Sequence, residues 1–306
     1  MKYRKKCIIY SLLAGLIVLT ERCSSKSPDI QLLESKEINF PSASAIEYVK
    51  DKLYIFGDDA PYLLILSTNY EVIDTIWYWP ERVERISKSD KPDIESATFI
   101  IKDGYPVLLG IGSMSDEKRW SVLSLEIDSN KLSQISFFKV GAGFPKVKEI
   151  NIEGSSTIGN TIILANRANL NNDVNYLLFW QRCLPVAKEI RLPKTKIVAG
   201  ISGLYYLKEK DLLLLTASEE ATENAITDGE IGESYLGWIN NFSKRMKEAL
   251  LKPDEFINLG ESNIALRKQK IESVCVERKV GERHILHLVA DNDNGSSRIF
   301  KLALKL

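Results

Sequence analysis

Cysteine and histidine are scarce in this sequence. Its 306 residues include four cysteines and two histidines, and only Cys183 and Cys275 lie beyond residue 23. Two cysteines cannot form the framework of a disulfide-rich protein, and no CxxC pair or Cys/His spacing typical of a zinc site is present. Both cysteines lie in apolar strand contexts, so we expect buried free thiols.

The sequence also lacks the motifs of nucleophilic catalysis. His284 and His287 are three residues apart in one predicted strand, so they should point to opposite faces. No GxSxG motif is present, and neither histidine can be tied to a serine or cysteine. Whether the protein is an enzyme is left open. If it is one, metal-dependent hydrolysis of an ester or phosphoester is the reaction that its residues permit.

No long run of basic residues follows the N-terminal segment. Five of the 41 basic residues and one of the 41 acidic residues precede Cys23, so the remaining chain carries a net charge of −4. Nucleic-acid binding depends on neutralising phosphates with basic side chains. We therefore expect no nucleic-acid partner.

The first 26 residues form a predicted leader. Basic residues within Lys2–Lys6 precede the apolar run Ile8–Leu19, which is too short to cross a bilayer and has the length of a signal-peptide core. Cys23 and the Ser-Ser-Lys after it resemble a bacterial lipoprotein signal, although Glu21 and Arg22 replace the usual small residues. We predict export to the cell envelope with lipid attachment at Cys23. Ordinary signal cleavage, giving a periplasmic or secreted protein, or an uncleaved anchor are the alternatives.

One short motif recurs five times in the rest of the chain. It consists of an apolar residue, Glu or Ser, a small residue and a β-rich run. The Glu or Ser positions, called marker residues below, follow one another at spacings of 51, 58, 49 and 70 residues: Ser44, Glu95, Glu153, Ser202 and Glu272. A polar turn, a nearly continuous apolar strand and further short strands follow each marker. Four short antiparallel strands repeated about every 50 residues are typical of β-propeller blades.

The repeats predict an all-β fold, a five-bladed β-propeller that forms one domain over residues 29–306. The fifth unit ends at Leu306 with only three strands, and Asp29–Phe40 can supply the fourth, which would close the ring and protect its edges. A six-bladed ring is the alternative. Apolar residues at helical spacing and Pro253 predict one short helical insertion near residues 236–252.

The first strand of each propeller blade lies nearest the axis, so Glu95, Glu153 and Glu272 should surround one channel. The loops after the second strands should bring further polar side chains to the same face: Asp58, Arg119, Asn166, Arg167, Asp291 and Asn292. Carboxylate and amide oxygens suit a hard cation, and arginines beside them suit an anionic ligand. Alternatively, the glutamates bind backbone N–H groups, the arginines form salt bridges, and no ligand is involved.

The sequences IEG and IES at strand starts, followed 13 to 19 residues later by ANR or ADNDNG, resemble the esterase-like phytase and SdiA-regulated propellers of exported bacterial proteins. More distantly, they are similar to gluconolactonase-like propellers. The resemblance implies a Ca²⁺ ion in the channel, held by residues from this set: Glu95, Glu153, Glu272, Asn166 and Asp291. It does not fix an activity, so the partner at the central face remains open among a small molecule, a glycan and a protein.

Overall fold

Five small sheets arranged around one axis make up the fold. The structure, a computed structural model, describes residues 29–136, 147–180, 186–224, 229–292 and 295–306. Its strands form five sheets, each containing four antiparallel neighbours. The first strands of the sheets contact one another in a closed circle. The protein is therefore a five-bladed β-propeller, as the repeats predicted, and the six-bladed alternative is wrong.

Four of the blades follow one another along the chain. The N-terminal strand β1 (Ile30–Ile38) belongs to the last blade. Blade 1 contains β2 (Ala43–Val49), β3 (Lys52–Gly57), β4 (Tyr62–Ser67) and β5 (Val72–Trp77). Blade 2 contains β6 (Ile94–Lys102), β7 (Tyr105–Gly112), β8 (Ser121–Glu126) and β9 (Lys131–Ser136). Blade 3 contains β10 (Ile152–Ile158), β11 (Thr161–Asn166), β12 (Asn175–Trp180) and β13 (Val186–Ile190). Blade 4 contains β14 (Ala199–Leu207), β15 (Leu212–Glu220), β16 (Ile231–Asn240) and, beyond the two-residue strand β17 (Leu250–Leu251), β18 (Glu255–Asn258).

The fifth blade closes the ring with strands from both ends of the described chain. It contains β19 (Ile271–Val280), β20 (Arg283–Asp291), β21 (Ser297–Lys305) and the N-terminal strand β1. β1 runs antiparallel to β21, with Ile30 opposite Leu304 and Ile38 opposite Ser297. The pairing predicted for the two termini is thus confirmed. It covers an edge of β21 that would otherwise present unpaired backbone groups.

Apolar cores between neighbouring blades hold the ring together. Leu213 in β15 packs into the core shared by blades 3 and 4, and its neighbour Leu214 packs into the core shared by blades 4 and 5. Consecutive side chains of a strand point to opposite faces. A second strand is therefore apolar along its whole length because both of its faces are buried, which explains the continuous run LLLL.

The helical insertion is much shorter than the sequence pattern indicated. Within residues 236–252 the helix α1 covers only Phe242–Arg245, and Trp238 and Ile239 lie in the strand β16. Trp238 packs between blades 4 and 5, whereas Ile239 packs between blades 3 and 4. A strand buried on both faces thus produced an apolar spacing that resembled a helix. β17, inside the insertion, pairs in parallel with β13 of blade 3.

The remaining helical segments are single turns. Among the described residues they are the helix α2 (Leu259–Ser262) and the 3₁₀ turns Glu117–Arg119, Lys208–Lys210 and Ile264–Leu266. In the described part of the chain, no helix is both long and apolar enough to span a membrane. Cys275 is a buried free thiol as expected, while Cys183 and the predicted lipidation site Cys23 lie outside the described residues.

Candidate axial binding site

Every marker residue lies at a β-bulge. In each blade the pairing between first and second strands shifts register at the marker, for example between Ile94 and Ser96 around Glu95. The same shift occurs at all of the other markers: Ser44, Glu153, Ser202 and Glu272. A bulge leaves one residue without an opposite partner and re-aims its side chain. The recurring sequence position is therefore a recurring irregularity that turns one side chain toward the axis.

The two serine markers have a structural role. Ser202 Oγ donates to the backbone oxygen of Ile271, over 2.6 Å, and Ser44 Oγ donates in the same way to Ile94. Each acceptor is the residue directly before the glutamate marker of the next blade. The serines thus tie neighbouring blades together beside the axis.

The residue after each marker is small because the first strands approach closely there. A Cβ atom added to Gly203 would lie 2.6 Å from Thr216 Oγ1 and 2.9 Å from the Cα of Ser273. Added to Gly154, it would lie 3.0 Å from the backbone of Gly203. Backbone packing between first strands therefore explains the small residue of the motif.

The three glutamate markers face one cavity of about 90 Å³ at the end of the axis where the first strands begin. Among the residues that the structure describes, seven carboxyl groups and five basic groups line it: Asp58, Asp93, Glu95, Glu153, Glu220, Glu272 and Asp291 with Lys88, Lys91, Arg119, Arg167 and Lys270. We call this cavity the axial pocket. If every one of these groups is ionised, the described part of the lining carries a surplus of two negative charges.

One side of the axial pocket is neutralised internally. The ammonium group of Lys91 forms ion pairs with Asp58 and, at 2.6 Å, with Asp93. Arg119 Nη1 lies 2.9 Å from the other oxygen of Asp93. Oxygens of Asp58, Asp93 and Glu95 lie within 4.8 Å of one another, close enough to share an ion, but Lys91 already contacts two of these carboxylates.

The opposite side of the axial pocket is organised by Arg167, a buried residue. Its guanidinium lies 2.8 Å from Glu220, 3.5 Å from Glu153 and 3.9 Å from Glu272. Lys270 lies 3.2 Å from Glu272 and 3.5 Å from Glu220. Three carboxylates thus share two cations, so this side retains negative charge.

Two carboxyl groups facing the pocket are incompletely hydrogen-bonded within the described part of the chain. Glu272 is only 5% exposed, and its Oε2 atom has no hydrogen-bond partner among the described residues. Among the described residues, no hydrogen bond reaches the carboxyl group of Glu95, although Lys91 is close enough to influence it electrostatically. The negative surplus is therefore concentrated where Glu95, Glu153 and Glu272 converge.

Burial and mutual repulsion favour the protonated forms of these three groups. Burial, with the neighbouring Glu153 and Asp93 carboxylates, raises the pKa of Glu95 well above its usual value. Burial also raises the pKa of Glu153, and it raises the pKa of Glu272 to about 8 even though Lys270 and Arg167 act against it. Burial acts in the same sense on Glu220, but Arg167 and Lys270 outweigh it and lower the pKa of that group.

Two predicted ligands do not line the axial pocket. The amide of Asn166 accepts from the backbone nitrogen of Asn151, over 2.8 Å, and donates to the backbone oxygen of Glu149. The amide of Asn292 accepts from the backbone nitrogen of Lys270, over 3.1 Å. Both amides therefore hold segments that lead into first strands. The other predicted site residues of the described chain do line the pocket: Asp58, Glu95, Arg119, Glu153, Arg167, Glu272 and Asp291.

Sequence reasoning missed the pocket residues that lie two positions before a marker. Asp93, Asn151 and Lys270 precede the glutamate markers Glu95, Glu153 and Glu272 in this way, and all line the pocket. Asn151 Nδ2 donates to Glu153, over 2.7 Å. Each of the three stands directly before a first strand, at the pocket end of its blade, so a polar residue at this position was a usable signal.

Both histidines lie away from the axial pocket. His287 is fully buried, with Nδ1 2.9 Å from Tyr70 Oη and Nε2 2.9 Å from Glu277. Burial lowers its pKa to about 3, which corresponds to a neutral ring. His284 is also buried in β20. Neither histidine is among the residues that line the pocket.

A comparison with one solved structure supports the fold, and a second match is weaker. The crystal structure of Myxococcus xanthus glutaminyl cyclase is similar over 91% of this chain and 97% of that chain, with 10% identity and a TM-score of 0.54. A streptogramin B lyase structure matches over 89% of this chain and 97% of the lyase chain, with 11% identity and a TM-score of 0.39. At such identities the likeness concerns the fold alone.

No curated protein matches the chain, and the narrower resemblance to phytase-like, SdiA-regulated or gluconolactonase-like propellers stays a prediction. One family model matches nearly the whole described propeller, over residues 39–304. The chain therefore belongs to DUF6929, a family of unknown function.

Proposed function

We propose that the protein is a cell-envelope propeller that binds one divalent cation, Ca²⁺ as first candidate, in its axial pocket. Glu95, Glu153 and Glu272 are its ligands, with Asp291 at the same pocket. The observation that carries the proposal is the buried Glu272 Oε2 atom, which no described residue hydrogen-bonds and which belongs to a group lining the cavity. A small molecule, glycan or protein would reach the ion at the pocket opening.

Charge balance favours a cation over an anion. Asp58 and Asp93 are matched by Lys91 and Arg119, so that side of the pocket is neutral. The basic groups that face the glutamate markers already form ion pairs with them or with Glu220. An added anion would meet no free donor among these side chains, whereas a divalent cation would match the two surplus negative charges that the described lining carries when its carboxyl groups are ionised.

Calcium suits this lining better than magnesium. The markers come from blades 2, 3 and 5, so they do not surround the axis evenly. Ca²⁺ accepts irregular sets of six to eight oxygen ligands, whereas Mg²⁺ demands a near-ideal octahedron. The cavity of about 90 Å³ leaves room for water molecules that complete the coordination.

Thermal unfolding with and without a chelator tests the proposal. A ligand that binds only the folded state stabilises it by about 2.7 kcal/mol at a hundredfold excess over its dissociation constant. We expect a chelator to lower Tm and Ca²⁺ to restore it more than Mg²⁺ does. Glu153→Gln should weaken this response, while the matched change Glu81→Gln at an exposed carboxyl should not. A wild-type Tm that is indifferent to chelator and Ca²⁺ would refute the proposal.

A metal-dependent hydrolase of esters or phosphoesters is the second candidate. Two carboxyl groups with opposite pKa shifts at one site favour it. Burial raises the pKa of Glu272 to about 8, whereas Arg167 and Lys270 lower the pKa of Glu220. Such pairs can serve as general acid and base. Turnover of chromogenic ester or phosphoester substrates that requires added metal and is lost in Glu153→Gln would support it. Cation binding without turnover of any of these substrates would refute the hydrolase and leave the proposed cation-binding protein.

A further inference from the structure

The end of the propeller opposite the axial pocket, called the hairpin end below, carries the turns between first and second strands. First strands begin at the pocket and end at these turns, as β19 does between Glu272 and Val280. Because β1 pairs antiparallel with β21, it begins at the hairpin end, where Ile30 lies opposite Leu304. The chain therefore enters the fold on the face that points away from the pocket.

The point where the chain enters is held firmly. Arg283 Nη1 donates to Gln31 Oε1, over 2.6 Å, and Arg283 Nη2 forms an ion pair with Asp29. The backbone nitrogen of Lys305 donates to the backbone oxygen of Asp29, over 3.2 Å. Arg283 lies directly after the turn that follows Val280, so the first described residue is fixed beside a hairpin of this end.

The distance from this point to the predicted lipidation site is limited. Cys23 precedes Asp29 by six residues, and an extended chain spans at most about 3.6 Å per residue. The Cα atom of Cys23 can therefore lie no more than about 22 Å from the Cα atom of Asp29. An anchor on Cys23 would keep the hairpin end near the membrane surface.

The hairpin end also presents apolar side chains to solvent. Ile101, in β6, is 71% exposed and Tyr105, in β7, is 64% exposed, both beside the turn that joins these strands. Val280 is 51% exposed beside the point where the chain enters the fold. Exposed lysines flank them, such as Lys102 and Lys279. Tyrosine and aliphatic groups with neighbouring lysines suit the boundary between lipid headgroups and acyl chains.

We propose that the hairpin end is a membrane-contacting surface that rests on the lipid bilayer, so that the axial pocket opens away from the membrane. The inference rests on the proposed location in the cell envelope, through the lipid attachment at Cys23 that the sequence predicts, and it is independent of cation binding. Ile101, Tyr105 and Val280 contact the bilayer surface directly. The pocket then faces the soluble compartment, where a ligand can reach it without crossing lipid.

Fluorescence quenching by brominated lipids tests this orientation. The full chain is reconstituted in vesicles with and without brominated lipid, as the parent protein and as two variants. Tyr105→Trp lies at the hairpin end, and Ile264→Trp is its matched control, since Ile264 is 70% exposed on the segment that leads to the pocket. After the parent signal is subtracted, we expect loss of most of the added fluorescence for Tyr105→Trp and little loss for Ile264→Trp.

The possible failures are distinguishable. Equal quenching of both variants, quenching of Ile264→Trp alone, or no quenching of either would overturn the orientation. A chain that does not fractionate with membranes at all would overturn both the anchor and the orientation. If Cys23→Ala stays in membranes, the leader itself is the anchor and the quenching result still decides the orientation. The response of Tm to Ca²⁺ tests cation binding separately in each case.

Discussion

The hydroxyl group of Ser202 donates a hydrogen bond of 2.6 Å to the backbone oxygen of Ile271, the residue directly before Glu272. Ser44 forms the equivalent bond to Ile94, directly before Glu95. The serine markers thus support the bulges from which two of the glutamate markers face the axial pocket. One recurring sequence position therefore has two roles, and the side chain decides which.

We expect Ser202→Ala to lower the free energy of unfolding by about 0.5–1.5 kcal/mol, the usual net contribution of one hydrogen bond. The loss should stay small because Ser218 Oγ also donates to the Ile271 oxygen, over 2.7 Å. Urea unfolding monitored by tryptophan fluorescence measures it. A loss of several kcal/mol would show that Ser218 cannot hold the bulge alone.

Gly203→Ala should lower the free energy of unfolding more than Gly154→Ala does. The added methyl group at Gly203 meets Thr216 and backbone of blade 5 below 3.0 Å, whereas at Gly154 the nearest atom lies at 3.0 Å. Overpacking of this kind costs about 1–3 kcal/mol. Denaturant midpoints of the two variants provide the measurement, and the reverse order would contradict the proposed close approach of first strands.

Arg167→Met should destabilise the protein by about 3–5 kcal/mol, because it leaves buried carboxylates without their shared cation. Added Ca²⁺ should recover part of this loss if the cation binds beside Glu153 and Glu272. Arg191→Met is the control, since Arg191 has a side chain 59% exposed and a single ion pair, which is worth about 0–1 kcal/mol. Similar losses in the two variants would argue against a charge-coupled pocket.

The pH dependence of stability should carry the signature of Glu272. Its pKa is raised to about 8 in the folded state, so the folded protein holds a proton that the unfolded chain releases at lower pH. The resulting stabilisation is complete below the usual glutamate pKa and is lost as the pH rises through about 8. Glu272→Gln should flatten this decline, and Ca²⁺ should stabilise the wild type more at about pH 9 than at about pH 5. Tm measured across this range, with and without Ca²⁺, tests both effects.

Removal of residues 29–38 should produce an aggregating protein. The deletion leaves β21 as an open edge and removes Ile38, which packs in the core between blades 1 and 5. Exposed strand edges pair with other chains. Size-exclusion chromatography should show loss of the monomeric folded species, and a monomer that unfolds cooperatively would contradict the role of β1 in closure.

The propeller could be predicted from sequence because its local signals agree. The marker spacing, the apolar second strands and the unassigned stretch Asp29–Phe40 all indicated five blades and their closure, as observed. Each signal reflects a short-range property, namely strand alternation, turn chemistry or burial on both faces of a strand. The insertion in blade 4 was the exception, because Trp238 and Ile239 pack into two different cores and so imitate helical spacing.

The composition of the axial pocket was decided by tertiary structure. The sequence alone brought Glu95, Glu153 and Glu272 to one channel, because the repeat places every marker at the start of a first strand. It could not reveal the bulges, since a register shift depends on pairing with a second strand. It also could not show that Arg167 would lie between Glu153 and Glu220, because ion pairs across blades depend on how the ring closes. The charge surplus of the pocket, and with it the kind of ligand, follows from those long-range contacts.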